Sequence, residues 1–105
     1  MPSVHHRDAP ESIAGVDRAY YEEIAGVLHG LLIRLDDRLP GEEVSTIAEF
    51  VDANELGLAL GRMAYLLSKA NQSVSADERA DMLSLAKRMR MGNSVPRALA
   101  LCPER

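Results

Sequence analysis

Apolar residues recur at three- and four-residue steps along most of this chain. Tyr20, Ile24, Val27, Leu28, Leu31, Leu32, Leu35 and Leu39 form one broad stripe, the period of an amphipathic helix. The spacing predicts a helix from about Asp17, a good N-cap, to about Leu39, with Pro40-Gly41 ending it. Glu22, Gly26, His29, Ile33 and Asp36 fall on the opposite side. His29 therefore reads as a solvent-facing histidine and not as a base. Ile33 stands outside the stripe, where it either packs on another element or touches a partner. A second helix is predicted from about Glu42 to Ala53, with Val44, Ile47, Ala48 and Val51 inward. Glu42 and Glu49 lie opposite that face, Asp52 sits at its edge, and Asn54 is the break.

The third predicted helix, about Glu55 to Ala70, carries two stripes. Leu56, Ala59, Leu60, Met63 and Leu67 make the core side, and Gly57, Gly61, Ala64 and Ser68 make a row of small residues. Each interior glycine costs roughly 1 kcal/mol relative to alanine, and a close approach by a neighbouring helix backbone would offset that. Leu58 and Tyr65 share the remaining flank with Arg62 and Lys69, as a partner surface or as ground covered by the long first helix. Ser75-Ala76-Asp77-Glu78 has the form of a capping box. It opens a fourth helix running to about Met91, with Met82, Leu85, Ala86 and Met89 inward and Gly92 at the C′ position. Ser94-Val95-Pro96 starts a last helical turn anchored by Leu99 and Leu101.

The fold class expected is all-α: a small antiparallel bundle of four main helices with a short C-terminal helical turn. Residues 13–105 form its single domain, and residues 1–12 a polar, flexible lead that includes His5 and His6. Composition agrees, since three Tyr, one Phe and no Trp are too few aromatics for a typical β-sandwich. Cys102 is the only cysteine, which excludes an intrachain disulfide. The start, Met1 to Glu11, is polar and does not read as a signal peptide. The apolar stretches near 24–33 and 56–67 are too short and too interrupted to span a bilayer. The compartment expected is the cytoplasm, with no membrane partner.

Catalytic chemistry finds little to stand on. The histidines lie at 5, 6 and 29, no third ligand follows His5-His6, and no HExxH or glycine-rich phosphate loop occurs. The carboxylate pairs Glu22-Glu23, Asp36-Asp37 and Glu42-Glu43 lie on or beside polar helix faces, unlike the buried, raised-pKa acid of a glycosidase. The expectation is no enzyme, no catalytic residue, no cofactor and no metal. The net charge of −4 divides into −8 over residues 1–78 and +4 over 79–105. That balance argues against direct nucleic-acid binding. A helix-turn-helix reading of the third and fourth helices would also present Asp77 and Glu78 to phosphates.

The run Ile47-Ala48-Glu49-Phe50-Val51-Asp52-Ala53-Asn54-Glu55-Leu56-Gly57-Leu58-Ala59-Leu60 resembles a signature of the MafI-like bacterial immunity proteins. In that family an acidic helix end leads into a helix with this Gly and Ala pattern. A linker and a helix opening with Ser and acidic residues follow, matched here by Val74-Ser75-Ala76-Asp77-Glu78 and Leu85-Ala86-Lys87-Arg88-Met89. The resemblance covers about residues 44–91, with Leu56 standing where many relatives have an aromatic residue. It implies a non-enzymatic antitoxin that binds and neutralises a secreted or contact-delivered toxin, often a nuclease. No contact residue is carried over from the family by position.

An acidic helical surface suits the basic cleft of a nuclease. The candidate partner-binding residues are Glu42, Glu49, Asp52 and Glu55, with Leu58, Arg62 and Tyr65 as the less polar part. Two other classes stay open: an adaptor bundle that homodimerises through the small-residue stripe, and a helix-turn-helix regulator.

Overall fold

The helical periodicity is realised in five helices: α1 (Ser3–Leu35), α2 (Gly41–Asp52), α3 (Leu56–Lys69), α4 (Ala76–Arg88) and α5 (Ser94–Ala100). This is a computed structural model that describes residues 3–105, with side chains described from Arg18 onward. The protein is all-α, four main helices and a short C-terminal one, with no strand among the described residues. A single isolated parallel bridge pairs Val74 with Glu104 and ties the chain's end to the α3–α4 connection. α1 begins at Ser3, well ahead of the start expected at Asp17, and the side chains of residues 1–12, expected to form a flexible lead, lie outside those described.

One core holds the bundle together. Ile24, Leu28, Leu31, Leu35, Ile47, Leu60, Met63, Leu67, Met82, Leu85 and Leu99 are fully buried in it. Each contributes roughly 1.5–3 kcal/mol by leaving water. Tyr20 and Val27, expected inside, are half-buried at its edge. The layering matters for function. Among the described residues, α2 packs on α1 and α3 and reaches neither α4 nor α5. α1 and α3 therefore form the middle, with α2 on one side and the α4–α5 pair on the other.

Several helix ends differ from the sequence reading, for identifiable reasons. α1 stops at Leu35, four residues early, because Pro40 disfavours helical backbone at Leu39 and the Arg38 guanidinium is drawn inward. Arg38 donates to the Arg34 and Ser73 carbonyls and to both carboxylate oxygens of Glu78, at 2.7 and 2.9 Å. α4 ends at Arg88, and its left-handed C′ residue is Arg90 at φ 55°, not Gly92. There the Met91 N–H bonds the Ala86 carbonyl and the Arg90 N–H that of Lys87, a Schellman motif. α2 and α3 close in the same way through Asn54 and Asn71. In α5 the anchors are Val95 and Leu99, whereas Leu101 is 68% exposed and Cys102 is buried in its stead.

The small-residue stripe is also used differently. No helix backbone closes on its glycines. A Cβ at Gly57 would meet Met91 Sδ at 4.0 Å, and one at Gly61 would meet Met91 Cε at 3.8 Å. Both are ordinary contacts with a flexible side chain.

Candidate partner-binding face

The sequence Gly-Glu-Glu-Val-Ser-Thr-Ile-Ala-Glu-Phe-Val-Asp of α2 contains four carboxylates and no basic residue. Its period sends Ile47 and Val51 into the core. Glu42 and Glu49, seven residues apart, project to solvent on the outer crest. Neither has a cationic group within 4.0 Å among the described residues, and neither does Glu55 in the turn that follows. Glu43, Thr46 and Phe50, spaced at i, i+3 and i+7, occupy the flank of α2 turned to α3.

That flank and α3 enclose an open groove of about 540 Å³, lined also by Gly57, Leu58, Gly61, Arg62 and Tyr65. Leu58 is 55% exposed and Tyr65 47%, so the long first helix does not cover them. Arg62 binds Glu43 through two hydrogen bonds, Nε to Oε1 at 3.1 Å and Nη2 to Oε2 at 2.8 Å. The pair steadies both charges: the guanidinium beside Glu43 lowers the carboxyl's pKa, and the carboxylate raises that of Arg62. Tyr65 stands between two cations, with the Arg62 guanidinium 5.8 Å and the Lys69 ammonium 5.5 Å from its ring centre. Lys69 also donates to the Tyr65 hydroxyl at 3.2 Å. The cations at the groove are thus already engaged, and the unpartnered charges beside it are carboxylates.

The seven candidates do not form one contiguous site. Leu58, Arg62 and Tyr65 line the groove together, with Glu42 and Glu49 on the crest beside it. Asp52 turns to α1, where its Oδ1 lies 3.5 Å from His29 Nε2, and Glu55 is exposed in the α2–α3 turn. Beside His29 runs a smaller, separate cleft of about 250 Å³ lined by Leu32, Ile33, Asp36, Val44 and Ala48. Ile33 is 73% exposed there. Glu43, Thr46 and Phe50 escaped the sequence reading. Their common spacing, around the chain's only phenylalanine, was the signal.

Another cleft, of about 510 Å³, meets the groove at Gly57 and is lined also by Tyr20, Tyr21, Arg88 and Arg90. Its cations are partly tied: Arg88 lies 5.2 Å over the Tyr20 ring and 3.5 Å from Glu23. No group of His, Cys, Asp and Glu among the described residues is arranged to hold a metal ion. No described helix is long and apolar enough to cross a membrane. The buried Cys102 thiol, its pKa raised by desolvation, has its Sγ 3.7 Å from the Ala98 carbonyl. Compared with known proteins, the chain matches no family model, no curated protein and no solved structure.

Proposed function

We propose that this chain is a non-enzymatic immunity protein that binds and neutralises a cognate bacterial toxin, a nuclease in the reading favoured by charge. The observation that carries the proposal is the outer crest of α2. Glu42 and Glu49 face solvent with no cationic partner among the described residues, next to an exposed apolar rim of Leu58 and Tyr65. Protein interfaces combine such features, with aromatic and aliphatic anchors near the centre and charge at the margin. A nuclease must attract a polyanion and therefore presents basic side chains around its substrate cleft. An acidic crest competes for that surface and speeds encounter. The resemblance of residues 44–91 to MafI-like immunity proteins supports the same reading, and every groove residue except Glu43 falls within that span.

Co-expression provides the test. Cells making the toxin encoded beside this gene are expected to survive when this chain is produced and to die when it is absent. Death in both cases rejects the proposal.

A further inference from the structure

We propose that the α2–α3 groove is the docking site for a partner segment with an apolar anchor flanked by Lys or Arg. This deepens the immunity reading and rests on it. Three observations converge. The groove, about 540 Å³, has room for a few large side chains. Its rim exposes Leu58 and Tyr65, and its lining includes Gly57, Gly61 and Phe50. The charge balance then selects the occupant. Arg62 is neutralised by Glu43, and Lys69 is held on Tyr65. Glu42 and Glu49 have no cationic partner among the described residues on the adjoining crest. A basic segment satisfies them, whereas an acidic segment or a nucleic-acid backbone is repelled.

Two other concavities fit this occupant less well. The cleft at Tyr20 presents Arg88 and Arg90 and repels a basic segment. The cleft at Ile33 is less than half the volume, about 250 Å³, and its Asp52 neighbour is already beside His29.

The test is titration calorimetry of the full chain against the toxin encoded beside it, made catalytically inactive. Leu58→Asp is expected to weaken binding about 30-fold, the loss typical of a central anchor. Thr46→Lys, which keeps Leu58 and places a cation on the α2 wall, is expected to weaken it about tenfold. Ile33→Asp, on α1 in the cleft at the other side of α2, is expected to leave the dissociation constant within about twofold. Circular dichroism melts of all three variants should match the parent. Toxin binding unchanged by both groove variants overturns the groove and leaves the immunity reading standing. No binding by the parent chain overturns both. A loss confined to Ile33→Asp moves the site to the α1–α2 cleft, and a parent dimer that Leu58→Asp dissociates makes the occupant a second copy. Either result rejects the proposal.

Discussion

Glu78 and Asp81 of α4 and Glu42 and Glu49 of α2 have opposite fates. The α4 pair is tied to arginines, whereas Asp77 on the same helix is exposed and Glu43 of α2 is bound to Arg62. Glu78 closes the capping box with Ser75 and binds Arg38, and Asp81 binds Arg34 at 2.7 Å. With Glu23 near Arg88, these contacts pair rising numbers along α1 and the turn after it with falling numbers on α4, an antiparallel seam fixed by charge. α2 has no such use for Glu42 and Glu49, which are exposed and make no ion pair among the described residues. Even its N-terminus begins at Pro40 without a side-chain cap. The difference separates acids that hold the fold from acids that the fold merely displays. A displayed charge beside an exposed apolar groove is where binding is expected.

The largest effect that tests this contrast is at Arg38. Its side chain and that of Glu78 are each 7% exposed, so removing one partner leaves the other charged and buried. Arg38→Ala is expected to lower the unfolding free energy by about 3–5 kcal/mol in urea denaturation, a large share of a small domain's stability. The neighbouring Arg34–Asp81 pair is nearly half exposed on both sides, and Asp81→Asn should cost under about 1 kcal/mol. A loss at Arg38 as small as that at Asp81 would remove the distinction drawn for α4.

Acid titration reads the same clamp. Hydrogen bonding from Arg38, above all, and from the Ser75 N–H holds the Glu78 carboxyl at about 2, below its ordinary 4.5. A depressed carboxyl contributes its stability in full above its unfolded value and loses it as pH falls toward the folded one. The window is therefore pH 4.5 to 2, and the gap corresponds to about 3 kcal/mol. Glu78→Gln should be less stable than the parent at pH 7, with a flatter stability profile across that window. Parallel profiles would place the acid sensitivity elsewhere.

On the α2 side, Gly61→Ala is expected to raise stability by roughly 0.5–1 kcal/mol, through helix propensity and a less flexible unfolded chain. The added methyl meets Met91 Cε at an ordinary 3.8 Å. A melting temperature that falls would mean that Met91 cannot give way and that the glycine is structural. A rise would mean that the groove's glycine lining is kept for something other than stability.

The helices were legible because their cores are nearly pure Leu, Ile, Val and Met at a clean period, and Ser75-Ala76-Asp77-Glu78 announced its own capping box. Arg38 was not legible. Its partner lies forty residues away, and only the packing of α4 on α1 brings the two together. The end of α4 was misplaced because glycine is the usual left-handed C′ residue, and here Arg90 takes that conformation two residues ahead of Gly92. Of the site, Leu58, Arg62 and Tyr65 were visible as a mixed stripe on one helix. Glu43, Thr46 and Phe50 needed the neighbouring helix to give them meaning.

The smallest stability effect is the one that isolates the displayed charge. Glu42→Gln with Glu49→Gln removes two exposed carboxylates that make no ion pair among the described residues. The unfolding free energy is expected to stay within about 0.5 kcal/mol of the parent. Association is the quantity that should move. Charge at the edge of an interface acts mainly on the encounter rate, and its effect shrinks as salt screens it over about 10 Å at 0.1 M. Stopped-flow association with the inactive toxin should slow roughly severalfold at low ionic strength and converge on the parent's rate in high salt. An on-rate that keeps its value and its salt dependence would show that the crest of α2 is an ordinary solvated helix face. The two sets of carboxylates would then differ only in structural use, because Glu78 would still anchor Arg38 while Glu42 and Glu49 did nothing for a partner.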